Sequence, residues 1–202
     1  MCIIIKDKEI IYQAYLKDNS FTIFHIIGPE CKNCIIKGLN KLSFDTKIKR
    51  FNTPIVKFSK SQIDYLTNIN NYDHLALGAG MYHISNDPGM AIARYIRENK
   101  KSNRAEIAIV IIDEYQNKGL GTLLTCLLIK YGIKNKIHKF FGYVAPDNLP
   151  MIKVFDKFNA KNIGYNENML CLEFDLLKNK QKAFKILMNF EYTKICTDNN
   201  YT

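Results

Sequence analysis

A loop with two glycines, set between an apolar strand and a helix, is the segment of this sequence best suited to chemistry. The apolar run at residues 105–112 leads through an acidic turn into residues 116–121, and a helical pattern follows directly. Glycines let backbone N–H groups approach a phosphate closely, and the free amides and positive dipole end of a helix start favour negative charge. Lys118 adds a cation there. The segment is predicted to bind a phosphate-bearing ligand, with a simple tight turn as the alternative.

Two familiar phosphate-binding patterns do not fit this loop, which has neither a Gly-Lys-Ser/Thr run nor a third glycine in dinucleotide spacing. The pattern is instead Gln-x-x-Gly-x-Gly, formed by Gln116, Gly119 and Gly121. It resembles the pyrophosphate-binding signature of the GNAT family of acyl-CoA-dependent N-acyltransferases. An asparagine that opens a later helix, here Asn148, also matches that family.

The likeness extends along the chain, from about residue 16 to residue 176. Short segments at residues 16–18, 29–30, 42–43, 50–51 and 148–151 resemble the GNAT domain of bacterial protein-lysine acetyltransferases. The resemblance implies acetyl-CoA as co-substrate and direct transfer of the acetyl group, within a ternary complex, to a primary amine. The acceptor it implies is a protein lysine or a small amine.

The resemblance also implies how the acyl-CoA is held. In the family, the strand before the loop splays from its neighbour, so that its free backbone groups pair with pantetheine, and the loop amides bind the pyrophosphate. Asn148 either hydrogen-bonds the CoA or caps its helix, and the two roles are compatible. The predicted cofactor-binding residues are Ile109, Val110, Ile111, Gln116, Asn117, Lys118, Gly119, Leu120, Gly121, Thr122 and Asn148.

Glu106 is the candidate catalytic base. It shares a strand face with apolar residues at positions 108, 110 and 112, where desolvation would raise its pKa toward neutrality. The lysine-acetyltransferase relatives also carry a Glu at this point. The alternative is a strand-end Glu that points to solvent or pairs with Arg94 or Arg104.

Some positions depart from the family pattern. The family often has a Tyr seven residues after the Asn, acting as general acid toward the CoA thiolate, and this chain has Phe155 there. Where the lysine-acetyltransferase relatives favour Arg and Asp near the first helix, it has His25 and Cys31. Phe155 supports a second hypothesis, a sensor or regulatory module that binds CoA or another nucleotide without catalysis.

The cysteines and histidines favour packing over metal binding. Cys31 and Cys34 have the spacing of one helix face, and no second cysteine or histidine pair completes a zinc site. Cys126 lies in an apolar run and is expected to be a buried, inert thiol. The four histidines show no ligand spacing, so no metal is predicted.

The pattern of apolar residues predicts alternating strands and helices with an antiparallel meander, and the resemblance implies a GNAT-like α/β (α+β) fold with a central, mostly antiparallel mixed sheet, about four flanking helices and a C-terminal helical tail. Residues 1–176 are expected to form the acyltransferase domain, and residues 177–202 an amphipathic helix and tail. Ser61 is expected to cap a short helix over residues 61–69. The predicted strands span residues 3–5, 10–15, 21–27, 75–81, 90–97, 105–112, 139–144 and 169–176, and the other helices begin near residues 28, 119, 148 and 178.

Composition narrows the classes of partner. The 202 residues carry a formal charge of +10, from 29 Lys and Arg against 19 Asp and Glu, which attracts anions. Only four of the cations are arginines, so sequence-specific reading of nucleic acid is not expected, and nonspecific RNA binding ranks last. Since no run is long enough to span a membrane and the cysteines are scattered, we expect a cytoplasmic protein, with a homodimer left open.

Overall fold

One mixed sheet organises the molecule. The computed structural model describes residues 10–51, 58–81 and 89–190. Within these ranges, eight strands form a single sheet in the order β1-β2-β3-β4-β5-β6-β8-β7. The strands are β1 (Ile10–Tyr15), β2 (Phe21–Ile26), β3 (His74–Gly80), β4 (Ala91–Arg97), β5 (Arg104–Ile111), β6 (Lys139–Val144), β7 (Lys161–Asn166) and β8 (Met169–Asp175).

The strand pairing confirms the predicted mostly antiparallel sheet. Every neighbouring pair is antiparallel except β5 with β6. A parallel pair needs a crossover connection, and the long helix between β5 and β6 supplies it. The predicted strand at residues 3–5 lies outside the described residues.

Six α-helices surround the sheet in the described part of the chain. They are α1 (Lys32–Lys41), α2 (Phe44–Phe51), α3 (Lys60–Thr67), α4 (Leu120–Lys134), α5 (Leu149–Lys157) and α6 (Leu176–Phe190). Helix α2 has no counterpart among the predicted elements, and neither does β7. The cap of α3 is Ser59 rather than Ser61, because the Ser59 side chain accepts from the amide of Gln62 and Gln62 reaches back to the Ser59 amide. No helix in the described ranges has the length and apolarity needed to cross a membrane.

The main core lies on the sheet face that carries α4, α5 and α6. Helix α4 is apolar on nearly all sides. The sheet buries one side of this helix and α6 buries another. The close approach of α6 requires Gly132, since a Cβ there would lie 2.7 Å from Leu176 and 2.8 Å from Phe140. Asn179 on α6 donates to the carbonyl of Phe158 at 2.8 Å, which fixes α6 against the end of α5. We propose that the folded domain extends through Phe190.

The opposite sheet face is covered by α1, α2 and α3. Two smaller apolar clusters form there, one around Ile35, Ile63 and Ala76 and one around Leu39, Leu42 and Ile112. Helix α2 contains no fully buried residue, although it contacts β5. This face therefore carries a thinner layer than the α4 side, and α2 lies beside the C-terminal half of β5.

Candidate active site

Strands β5 and β6 separate halfway along their length and open a cleft. Their parallel pairing covers only Arg104–Glu106 of β5, opposite Lys139–Phe141 of β6. Beyond that point, residues 107–111 pair with β4 alone. The carbonyl of Ile107 lies 3.0 Å from where a Cβ of residue 142 would stand, so this peptide group faces β6. Because peptide groups alternate along a strand, the N–H and C=O of Ile109 also face the opening.

Side chains of the preceding turn hold the loop after β5 in place. The Asp113 carboxylate accepts from the amide of Ser43 at 2.9 Å and from the hydroxyls of Ser43 and Thr46, each at 2.7 Å. Burial raises the pKa of Asp113, but these hydrogen bonds outweigh it and hold the pKa below its usual value. Gln116 donates to the carbonyl of Ile111 at 3.1 Å and to Thr46 at 3.2 Å. The loop is thus anchored to both β5 and α2.

The backbone amides of residues 117–122, called the cradle below, lie in the loop and first turn of α4 that are predicted to bind an anion. Asn117 and Gly119 both have positive φ, 61° and 101°, which turns the chain sharply before α4 begins at Leu120. Across the described residues, no oxygen accepts a hydrogen bond from any of these six amides. Free amides at a helix start, reinforced by the helix dipole, suit a phosphate or pyrophosphate.

Gly121 is required for close packing behind the cradle. A Cβ at this position would lie 3.3 Å from Val154 and 3.5 Å from Ile111. Both side chains belong to elements that line the cleft, so a larger residue would push α5 away from the loop. At Gly119 the demand is conformational instead, because a φ of 101° is one that side chains rarely adopt.

Lysines other than the predicted Lys118 line the cleft beside the cradle. The ammonium of Lys118 pairs with Asp18 at 2.8 Å and lies over the ring of Tyr115, so its side chain is turned from the cleft. Lys17 and Lys157 line the cleft in its place, and Lys157 Nζ lies 3.4 Å from the hydroxyl of Thr122. Neither lysine carries a local sequence signal, because the fold alone brings them to the loop.

The cleft has a volume of about 740 Å³ and gathers most of the predicted site. Leu120 does not line it, because its side chain is 1% exposed and belongs to the main core. Asn148 lines the cleft and also caps α5, accepting from the amide of Met151 at 3.3 Å, so both of its predicted roles are compatible with its position. The predicted residues that line the cleft are Glu106, Ile109, Val110, Ile111, Gln116, Asn117, Gly119, Gly121, Thr122 and Asn148.

Glu106 stands at the point where β5 and β6 separate. Its side chain is exposed to the cleft, yet the surrounding walls remove enough water to raise its pKa above the ordinary value of 4.5, against the opposing charge of Arg50. Arg104, one of its predicted partners, pairs instead with Glu98 at 2.8 Å and Glu173 at 2.6 Å. Among the described residues, Glu106 forms no ion pair.

The lip of the cleft opposite β5 is aromatic. Phe155 is 1% exposed, and its ring tip lies 2.8 Å from the Cβ position of Gly142, so only glycine at 142 leaves room for it. Tyr143 follows on β6, is exposed, and brings a hydroxyl-bearing side chain to the cleft. The sequence gives no reason to single out Tyr143, because its position depends on the separation of the two strands.

Among the described residues, Cys31, Cys126 and His74 pack as structural residues. Burial raises the pKa of both Cys31 and Cys126 to about 12, which leaves these thiols protonated and unreactive. His74 Nε2 accepts a hydrogen bond from the Arg94 guanidinium at 3.3 Å within the sheet, and His83 lies outside the described residues. The described ranges contain no cluster of three or more His, Cys, Asp or Glu side chains suited to a metal ion.

Comparison with known proteins agrees with this geometry. The profile of the Acetyltransferase (GNAT) family matches residues 60–160, which is half of the chain and includes the splayed strand, the cradle and α5. The chain belongs to the GNAT acetyltransferase family. This confirms the family resemblance that the loop pattern indicated and the GNAT-like fold class that the resemblance implied.

Individual GNAT relatives are distant. The chain is 27% identical over 141 residues to Acetyltransferase Pat of Mycolicibacterium smegmatis, covering 70% of this chain and 41% of that protein. It thus spans about two fifths of the length of this curated relative. The GNAT domain of S. lividans PAT superposes with a TM-score of 0.74 at 22% identity, covering 81% of this chain and 95% of that one. Spermidine N-acetyltransferase from Vibrio cholerae, solved with CoA and spermine, gives a TM-score of 0.62 at 16% identity, covering 78% and 96%.

Proposed function

We propose that this GNAT protein transfers an acetyl group from acetyl-CoA directly to a primary amine, on a protein lysine or a small molecule, within a ternary complex. One observation carries the proposal: the free edge of β5, the carboxylate of Glu106 and the loop whose amides at residues 117–122 are unbonded line the same cleft, the loop through residues 117, 119, 121 and 122. An acyl donor lying along β5 would place its thioester beside Glu106.

The chain's own residues suit the donor. The amides of residues 117–122 would bind the pyrophosphate, with Lys17 and Lys157 supplying positive charge beside them. The N–H and C=O of Ile109 would pair with the pantetheine amides as an additional strand would. A backbone N–H of the splayed strand would also stabilise the negative charge that develops on the thioester carbonyl during attack.

Glu106 is assigned as the general base. An acceptor amine arrives largely protonated, and only its neutral form attacks a thioester, so the amine must lose a proton at the site. The raised pKa of Glu106 brings this carboxylate closer to the pKa of an amine and makes it a better proton acceptor. Phe155 cannot protonate the departing thiolate, and Tyr143 is assigned as the proton donor from the opposite lip of the cleft.

The test is release of CoA thiol from acetyl-CoA in the presence of a panel of amines and lysine peptides, with products identified by mass spectrometry. We expect an acetylated amine and one thiol per acetyl group transferred. Two variants report on separate parts of the site: Gly119→Glu is expected to lose donor binding, and Glu106→Gln to retain binding and lose turnover. Binding of acetyl-CoA without turnover of any acceptor would instead support the sensor hypothesis, which the absent hydroxyl at Phe155 favours.

A further inference from the structure

Two arginines with no carboxylate partner lie on the sheet face beside Glu106. The Nε of Arg50 is buried and has no hydrogen-bond partner among the described residues. Arg94 is 6% exposed, and its recorded polar contact is to the imidazole of His74, which is not an anion. In the described part of the chain, no carboxylate lies within 4.0 Å of either guanidinium.

Buried guanidinium groups normally have an anionic partner. Burial lowers the pKa of Arg50, and burial together with the charge of Arg50 lowers that of Arg94 to about 10. Leaving such charges uncompensated is costly, and arginine in proteins is usually matched by a carboxylate or phosphate that accepts two parallel hydrogen bonds. Glu106 is the carboxylate whose charge Arg50 senses, but the two do not form an ion pair.

A small pocket of about 70 Å³ lies next to these arginines. Arg50 lines both this pocket and the large cleft, while Arg94 lines the small pocket. The walls are otherwise apolar, and the volume suits about five water-sized groups, enough for a carboxylate and one or two carbon atoms.

The strand register fixes how far the pocket lies from the proposed base. Arg94 of β4 is paired with Ala108 of β5, which is two residues from Glu106 on the same face. Cross-strand diagonal neighbours have Cβ atoms about 7 Å apart, so one short acceptor can reach both places. Alanines flank Arg94 on both sides, at positions 76 and 108, and small neighbours leave the guanidinium room to meet a ligand.

We propose that the acceptor carries a carboxylate a few bonds from its reactive amine, and that Arg50 and Arg94 bind this carboxylate while the amine lies at Glu106. The assignment rests on the proposed acetyl transfer. Two sources share this chemistry: a free amino acid, and a lysine with an acidic neighbour in a peptide.

The first experiment compares acceptors that differ only in the carboxylate. We would measure kcat/KM for 3-aminopropanoate, 4-aminobutanoate and 5-aminopentanoate against the amino alcohols of equal length, and for lysine peptides with Glu against Gln beside the lysine. A charge-assisted hydrogen bond predicts a preference of about tenfold or more for the acid in at least one pair. Preference within the amino acid pairs identifies a small acceptor, and preference within the peptide pairs an acidic peptide.

Variants assign the preference to the arginines. Arg50→Gln is expected to bring the ratio of acid to alcohol, or of Glu to Gln peptide, close to one, and Arg50→Lys to restore part of it. Lys47→Gln removes a charge from the same helix but outside both pockets, and should leave the ratio unchanged. Ratios near one in every wild-type pair would overturn the proposal while leaving acetyl transfer intact.

A measurement that needs no turnover separates this proposal from the proposed function. Butanoate at tens of millimolar should raise the Tm of the wild-type protein by about 2 °C more than chloride of equal ionic strength, because a ligand that binds only the folded state stabilises it. The same salt should give no extra rise with Arg50→Gln. If butanoate acts as predicted but no amine is acetylated, the anion site stands and the acetyl transfer fails. If butanoate behaves as chloride does, the anion site is refuted.

Discussion

Replacement of Glu106 by Gln tests the assignment of the proton acceptor. Glutamine keeps the shape of the side chain and removes its basicity, and since the donor is expected to be held by amides of residues 117–122, affinity for acetyl-CoA should change little. A general base contributes about 100-fold to 10,000-fold, so kcat should fall by at least the lower figure. The measurement is steady-state thiol release at saturating acetyl-CoA, combined with a binding titration of the same variant.

The pH profile adds a second, independent readout. Glu106 must be ionised to accept a proton, so activity should fall as pH decreases through its raised pKa, with the acid limb above the ordinary Glu value of 4.5. The charge of Arg50 lowers the pKa of Glu106, so Arg50→Gln should move the acid limb to higher pH. Glu106→Gln should remove the acid limb of the pH profile. An unchanged pH profile in Glu106→Gln would show that another residue or bulk water takes the proton.

Three further predictions concern the cleft and the core. Gly142→Ala should cost about 1–3 kcal/mol in urea unfolding, because its Cβ would meet Phe155 and the Ile107 carbonyl, whereas Gly80→Ala, with its nearest neighbour at 3.6 Å, should cost less. Lys157→Gln should raise the Kd for acetyl-CoA several-fold in calorimetry, while Lys118→Gln, whose ammonium already pairs with Asp18, should not. Burial and the charge of Arg94 lower the pKa of His74 to about 4 in the folded protein. Below pH 6.5 the imidazole therefore binds a proton in the unfolded state but not in the folded state. The wild type should thus lose about 2 kcal/mol of folding free energy between pH 7 and pH 5. His74→Gln should abolish that His74-dependent part of the loss, and equal pH dependence in both proteins would refute the assignment.

The sequence predicts the sheet and the cradle because both have local signals. Apolar alternation marks the three strands of the meander, and the glycine loop is defined by residues next to one another in the chain. Helix α2 carries apolar residues at helical spacing, Phe44, Ile48 and Phe51, but it is only eight residues long and none of them is fully buried, and it is missing from the predicted elements. Strand β7 is missing as well, since all six of its residues are exposed at the edge of the sheet.

Features of the site that depend on distant segments are beyond local patterns. Lys17, from the turn after β1, reaches the cradle only once the sheet has formed. Lys118 lies in the signature itself, yet pairs with an aspartate one hundred positions earlier in the chain. Arg50 and Arg94 lie in separate elements, and only the folded structure brings them to one pocket, where no carboxylate of the described ranges pairs with either.

The central claim, that acetyl-CoA binds with its pyrophosphate on the amides of residues 117–122, is tested most directly by isothermal titration of three proteins. Wild type should bind one acetyl-CoA per chain. Gly119→Ala carries the strain of a φ of 101° but adds only a methyl group at ordinary contact distance, 3.8 Å from Lys17, and should still bind. Gly119→Glu adds a negative charge at the cradle and should show no binding at millimolar ligand, with an unchanged circular dichroism spectrum. Wild-type affinity in Gly119→Glu, or no binding by the wild type itself, would contradict the account.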